Sequence, residues 1–151
     1  MNISFVANDI DIQDSKIEAP DGQINIAALS VNHPIEPSFL SPHEIGNVQI
    51  QKSRLITTGK GAGDIFIRGG EICVKQSLID SQSKGVLTPD DTIQAGDSGN
   101  IYFAGTDMLF DQSEISSSSL SGENAGKIKI YANNRLLFCD SHISTEVNNK
   151  W

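Results

Sequence analysis

A short pattern of apolar residues and one serine recurs five times along the chain. Two hydrophobic residues stand at alternate positions, a serine follows three positions later, and an aliphatic residue comes two positions after the serine. A pattern that returns in the same order indicates a repeat architecture, in which each repeat packs on its neighbours. The copies are Ile10, Ile12, Ser15, Ile17; Val48, Ile50, Ser53, Leu55; Ile72, Val74, Ser77, Ile79; Met108, Phe110, Ser113, Ile115; and Leu136, Phe138, Ser141, Ile143.

A second regular element precedes each copy. It has two hydrophobic residues and then a small residue at alternate positions, and a spacing of two places side chains on one face of a β-strand. These elements therefore predict short, half-buried strands. They are Ile3, Phe5, Ala7; Ile24, Ile26, Ala28; Ile65, Ile67, Gly69; Ile101, Phe103, Gly105; and Ile128, Ile130, Ala132.

The distances between the two elements predict the architecture. In three copies the first strand leads the second by seven residues, and the inward alternation then breaks once before the serine, as it does at a corner. The connection to the next copy varies in length and is marked by glycine each time, at Gly22, Gly61 to Gly63, Gly96 to Gly99, and Gly122 to Gly126. We expect these glycines to supply positive φ angles for a sharp turn. Each copy thus predicts three short strands joined by two tight corners.

Strands that recur in one order, with insertions confined to particular places, predict an all-β fold. We expect a right-handed parallel β-helix of about five three-strand coils, forming one segment over residues 1–151. A loop is expected at about 32–47, where three prolines interrupt the second coil, and a longer corner at about 81–99. Val48 and Ile50 could belong to the first or to the second strand of their coil. Ser53 and Leu55 favour the interpretation as a second strand.

Charge and composition exclude several classes of partner. Eleven basic against nineteen acidic residues give a net charge of -8, which repels nucleic acid and anionic membrane surfaces. The two cysteines are too few for a disulfide framework. The N-terminal residues resemble no signal peptide, and no apolar run is long enough to insert in a membrane. We therefore expect no nucleic-acid partner and no membrane insertion.

Two glycine-rich corners resemble functional motifs. The run Gly96-Asp97-Ser98-Gly99 matches the nucleophile signature of chymotrypsin-like proteases, but a triad also needs an oriented histidine and acid, and neither His33 nor His43 has such a context. Gly59 to Asp64 resembles a calcium-binding nonapeptide repeat, which requires consecutive copies. Calcium binding stays an alternative there. We predict a solvated corner at both sites, no catalytic residue, no cofactor and no metal.

The outward faces of the strands offer one candidate ligand site. Phe66 and Tyr102 point outward at equivalent positions of consecutive coils, so their rings should stack about 4.8 Å apart. A carbohydrate-active β-helix gathers carboxylates on adjacent coils, whereas Asp9, Asp11 and Asp14 cluster within one coil. The rings predict either a ligand-stacking platform or simple cross-strand stabilisation.

Three runs carry a resemblance to a known family. GAGDIFIRGGEICVKQSLIDSQS, GDSGNIYFAGTDMLFDQSEISSSS and GENAGKIKIYANNRLLFCDSHIST resemble the repeats of filamentous-haemagglutinin-like proteins, the exported passengers of two-partner secretion systems. The resemblance extends over essentially the whole chain and is best over residues 61–146. It implies a right-handed β-helix and a structural or adhesin-type role.

The resemblance also implies a location and partners. Segments of the NPNL and NPNGI type, which mark the family's N-terminal secretion domain, do not occur in this sequence. We therefore expect a piece of the repetitive shaft, secreted or displayed at the cell surface or outer membrane of a Gram-negative cell as part of a longer exported protein. The implied partners are an outer-membrane transporter, engaged through the absent secretion domain, and a host-cell or cell-surface receptor or glycan. A carbohydrate-binding or carbohydrate-active β-helix is the alternative.

Overall fold

The chain is all-β. A computed structural model describes residues 1–29, 46–94, 96–120 and 123–148, and for Ile93 the backbone alone. The described residues form strands and no helix. The strands are β1 (Ile3–Ala7), β2 (Ile10–Gln13), β3 (Lys16–Glu18), β4 (Ile24–Ala28), β5 (Val48–Gln51), β6 (Arg54–Ile56), β7 (Ile65–Arg68), β8 (Glu71–Lys75), β9 (Leu78–Ser83), β10 (Val86–Leu87), β11 (Ile93–Gln94), β12 (Ile101–Asp111), β13 (Glu114–Ser119), β14 (Ile128–Cys139) and β15 (His142–Val147).

Equivalent strands of successive repeats pair in parallel and in register. The first and second strands of all repeats form one eight-stranded sheet, ordered β1-β4-β7-β12-β8-β5-β2 with β14 beside β12. Because β1 and β2 belong to the same repeat, this sheet nearly closes on itself. The third strands form a separate five-stranded sheet, ordered β15-β13-β9-β6-β3. The order of pairing therefore follows the order of the repeats in the sequence.

Inward side chains at each strand position form rows through the interior. The row at the start of the first strand includes Ile24, Ile65 and Ile101, all 0% exposed, and burying each aliphatic side chain contributes about 1.5–3 kcal/mol. Two aromatic residues also lie in the core, where the rings of Phe103 and Phe110 meet edge to face at a centroid distance of 5.0 Å. The core is thus a stack of like residues, as the repeat pattern predicts.

The second repeat follows the register that Ser53 and Leu55 favour. Val48 pairs with Ile10 on one side and with Ile72 on the other, so β5 is a second strand. The predicted loop at 32–47 lies outside the described residues except for Gly46 and Asn47. The N–H of Gly46 donates to the carbonyl oxygen of Ala28 at 3.1 Å. The insertion therefore enters and leaves the repeat at one point, between the first and second strands.

One prediction about strand boundaries is wrong. In the fourth and fifth repeats the first and second strands are continuous, as β12 and β14, and the corner between them is reduced to a register shift near Gly105 and Asp107. The third strand of the third repeat, β9, continues to Ser83, into the start of the stretch at about 81–99 where a longer corner is expected. The connection then carries a small antiparallel pair, β10 with β11.

The reason given for the glycine-marked corner is also wrong. Among the described glycines only Gly85 has a positive φ, at 68°. Four of the glycines at the variable corner form a row through successive repeats, and a Cβ on any of these four would overlap a backbone carbonyl of the preceding repeat. Close stacking of the backbone, and not left-handed geometry, therefore requires glycine. This glycine row comprises Gly22, Gly63, Gly99 and Gly126.

Candidate functional site

The aromatic pair has the geometry that the repeat spacing predicts. Phe66 on β7 and Tyr102 on β12 are register partners, and their rings are stacked with centroids 4.9 Å apart and planes 9° from parallel. Both side chains are half-buried. They belong to one outward row, which comprises Ser4, Asn25, Phe66, Tyr102 and Lys129.

Cationic side chains flank this pair. The Nζ of Lys129 lies 5.8 Å from the centroid of the Tyr102 ring, within reach of a cation–π contact. Nη2 of Arg68 donates to Oδ1 of Asn25 at 3.4 Å, on the other side of the pair. The rings cover each other on their inner faces, Lys129 lies on the outer face of Tyr102, and Asn25 is the register neighbour on the other side of Phe66. The ring edges are therefore what a ligand could meet. A ligand role for the pair stays a prediction.

The five serines of the repeat form a continuous hydrogen-bonded row. The N–H of each of the first four serines donates to Oγ of the serine in the next repeat, as from Ser53 to Ser77 at 3.1 Å. Each hydroxyl in turn donates to the carbonyl two residues earlier, as from Ser77 to Lys75 at 2.7 Å. The serine row, Ser15, Ser53, Ser77, Ser113 and Ser141, thus satisfies backbone groups at the corner, which confirms its predicted structural role.

Sequence reasoning missed the residue before each serine. At five successive corners this residue is not glycine and has a positive φ of 46–48°, the left-handed region that non-glycine residues seldom adopt. The only sequence signal is that a polar residue stands there every time. These corner residues are Asp14, Lys52, Gln76, Gln112 and Asp140.

An open groove runs along this corner. Its volume is about 760 Å³, and residues of four repeats line it. Lys52 and Arg54 make one end basic, whereas Glu114 and Asp140 make the other end acidic. Between them Nε2 of Gln76 donates to Oε1 of Gln112 at 3.1 Å. A groove with polar walls and opposite charges at its ends suits an extended polar ligand, although its serine floor is already fully hydrogen-bonded.

The serine of the protease-like motif, Ser98, forms hydrogen bonds with backbone groups. Ser98 is 6% exposed, its Oγ donates to the carbonyl oxygen of Ser118, and the N–H of Ser83 donates to that Oγ at 3.2 Å. His33 and His43 lie outside the described residues. The hydrogen bonds that Ser98 forms at this corner therefore explain why a serine is there.

The corner that resembles a calcium-binding repeat, Gly59 to Asp64, also has a polar side chain that hydrogen-bonds to the backbone. Oδ1 of Asp64 accepts from the N–H of Asn100 at 2.6 Å, and Oδ1 of Asp21 accepts from the N–H of Gly61 at 3.2 Å. These carboxylates are occupied by backbone donors of other repeats. Within the described residues, no group of three or more His, Cys, Asp or Glu side chains is placed to hold a metal ion.

The outward face of the second strands contains a small cavity of about 140 Å³ beside Cys73, Leu109 and Leu137. Burial raises the pKa of the Cys73 thiol, which lowers its thiolate fraction and its reactivity. Nε of Arg135 lies 3.7 Å from Oδ1 of Asp107 at the rim. Cys73 and Cys139 are free thiols. The cavity has no activated nucleophile.

Comparison of the chain with protein-family models, curated proteins and solved structures found no match. In the described part of the chain no helix is long and apolar enough to cross a membrane.

Proposed function

We propose that the chain is a segment of a right-handed parallel β-helix, with five coils, in a secreted or surface-displayed protein of the filamentous-haemagglutinin type. Its role is structural: a stiff, adhesin-type shaft. The observation that carries this proposal is the in-register parallel pairing of equivalent strands through five repeats. Such stacking extends a rod by one strand spacing, about 4.8 Å, for each coil.

The use of polar side chains supports a shaft over an enzyme. The serine row, Ser98 and Asp64 all bind backbone groups, so the residue types that suggest chemistry stabilise corners. The acidic net charge of -8 keeps an exposed rod soluble. Export would depend on a transporter engaged by a secretion domain outside this chain, and binding would involve a host-cell or cell-surface receptor or glycan.

An insertion experiment tests the shaft proposal. The 151-residue chain is placed in frame within the repetitive shaft of a two-partner secretion passenger, and surface display and rod length are measured. We expect normal export and a rod about 24 Å longer, from five coils of about 4.8 Å. The matched control carries Ile67→Asp, which should block export. Equal export of both insertions, or failure of both, contradicts the proposal.

The second candidate function is carbohydrate binding on the outward face. The observation that favours it is the half-exposed stack of Phe66 and Tyr102 next to the cationic groups of Arg68 and Lys129. A glycan array probed with the chain should give signals that disappear in the Phe66→Ala, Tyr102→Ala double variant. Leu137→Ala, at an outward position of the second strands that is 46% exposed, is the control. Signals that survive the double variant contradict this candidate.

A further inference from the structure

The groove at the serine corner runs along the stack of repeats, across the direction of the strands. The residues before the serines and the residues after them form its two walls. On the first wall are the corner residues Lys52, Gln76, Gln112 and Asp140. On the second wall are the successive register partners Arg54, Leu78, Glu114 and His142. Both walls are basic at the second repeat and acidic at the fourth and fifth.

The charged groups of the groove do not neutralise one another. Arg54 and Glu114 are two repeats apart, about 10 Å by strand spacing. Lys52 and Asp140 are three repeats apart, about 14 Å. Among the described residues, none of these four side chains is in an ion pair. All four are exposed, so both ends of the groove are accessible to a charged ligand.

We propose that this groove binds an extended peptide that has an acidic residue near one end and a basic residue four positions away. The acidic side chain lies against Lys52 and Arg54, where a guanidinium can bind a carboxylate through two parallel N–H···O bonds. The basic side chain lies against Glu114 and Asp140. The inference goes beyond the shaft proposal and does not depend on it, because these four repeats form the groove whatever lies on either side of them.

The geometry of an extended chain fixes the spacing of the two charges. Such a chain rises about 3.3 Å per residue, so residues i and i+4 are about 13 Å apart and lie on the same face. This distance fits the separation of the basic and acidic ends of the groove. Residues i and i+2 are about 7 Å apart, which is too short. Residues i and i+3 lie on opposite faces, so one of the two charges would point away from the groove.

The middle of the groove suits the peptide residue between the two charges. Nε2 of Gln76 donates to Oε1 of Gln112 at 3.1 Å, which leaves one N–H of Gln76 and both N–H groups of Gln112 for other acceptors. A peptide backbone offers such acceptors along its length. On the second wall Leu78 is half-buried and offers an apolar contact. A small apolar side chain at i+2 therefore fits this part of the groove.

The opposite charges favour a peptide over a glycan. An acidic glycan would be attracted by Lys52 and Arg54 but repelled by Glu114 and Asp140, and the net charge of -8 opposes its approach. An uncharged glycan would gain nothing from either end. A peptide carries both signs of charge on one chain, so it is the ligand that uses the whole groove.

Two isomeric peptides test the spacing. The probe is acetyl-Thr-Glu-Thr-Val-Thr-Lys-Thr-amide, and the isomer is acetyl-Thr-Glu-Thr-Val-Lys-Thr-Thr-amide, which places the lysine on the opposite face. Calorimetry with the full chain at low salt should show saturable binding of the probe and about fivefold weaker binding of the isomer. No binding of the probe, or equal affinity for both peptides, overturns the proposal. Binding of cellopentaose, an uncharged glycan, as tight as that of the probe also overturns it.

Charge reversal in the protein tests whether the groove is the site. Lys52→Glu with Arg54→Glu should weaken binding of the probe about tenfold or more. The same variant makes the groove acidic at both ends, so it should bind a peptide with lysine at both charged positions more tightly than the wild type does. A variant that does not fold would show no such gain. The control, Lys84→Glu with Lys127→Glu, makes the same change in net charge at exposed positions outside the groove.

The control should bind both peptides as the wild type does. A groove variant that binds the probe normally, or that gains no affinity for the two-lysine peptide, overturns the proposal. Equal changes in the groove variant and in the control also overturn it, because they would show an effect of net charge alone.

Discussion

The backbone N–H of Ser77 donates a hydrogen bond to Oγ of Ser113 at 3.3 Å, although the two residues are 36 positions apart in the chain. The same bond links every pair of successive serines in the serine row. A buried N–H must find an acceptor, and at this corner the strands cannot supply one because the ladder is interrupted. The repeated serine therefore provides the hydrogen-bond acceptor for the serine N–H of the preceding repeat.

Removing one serine from the middle of the row should destabilise the fold. In Ser77→Ala the N–H of Ser53 loses its acceptor at 3.1 Å, and an unsatisfied buried donor costs about 1–3 kcal/mol. Chemical denaturation of the variant and the wild type measures the loss. Ser15→Ala is the matched control: Ser15 is exposed and its Oγ donates to the nearby carbonyl oxygen of Gln13, so the loss should be much smaller. Equal losses would refute the argument.

Much of this fold could be predicted from the sequence, because the same hydrophobic alternation and the same serine corner occur in each of the five repeats. Alternation by two and the serine spacing predicted the strand pairs, the register of Val48 and the stacking of Phe66 on Tyr102. The left-handed corner residues were not predicted, because Lys52, Gln76 and Gln112 have no preference for positive φ and are held there by their neighbours. The continuity of β12 was missed for a related reason: a bulge and a corner have the same spacing.

The backbone geometry of the corner residues makes a second prediction. Lys52 has a φ of 48°, and a β-branched residue is strained in that region. Lys52→Val should therefore cost about 1–2 kcal/mol, whereas Lys52→Asn should cost little. Arg54→Val, two residues away on an exposed position of β6, is the control, since valine suits a strand. Thermal denaturation compares the three, and a larger loss for Arg54→Val would contradict the strain.

The glycine row predicts a sharp difference between two nearby glycines. A Cβ on Gly63 would overlap the carbonyl oxygen of Gly22, whereas the nearest atom to a Cβ on Gly61 is Cα of Gly96, at 3.2 Å. Gly63→Ala should therefore lower the free energy of unfolding by about 3 kcal/mol or more, since the backbone of the preceding repeat must move. Gly61→Ala should lower it far less. Urea titrations of both variants provide the measurement. Similar midpoints would contradict the close backbone stacking at Gly63.

The inward and outward assignment of the first strands can be tested with a buried charge. Ile67 is 0% exposed, and Ile67→Asp places a carboxylate without a partner in the central row, which should prevent folding. Ser4→Asp introduces the same charge at an exposed outward position and should be mild. Circular dichroism and soluble yield report on both. If the two variants behave alike, the assignment of the faces is wrong.

Asp80 provides a prediction about pH. Burial raises the pKa of Asp80 above its ordinary value of 3.8, the Glu114 carboxylate raises it further, and Lys84 opposes the shift. Because the folded state binds the proton more tightly than the unfolded chain, the free energy of unfolding falls as pH rises from below 3.8 through the raised pKa. Asp80→Asn should therefore stabilise the protein at pH 7, by a small amount because solvent screens this partly exposed carboxylate, and should give no gain near pH 3. Denaturation at the two pH values measures the difference, and a gain for Asp80→Asn that persists unchanged at the acid value would contradict the raised pKa as its cause.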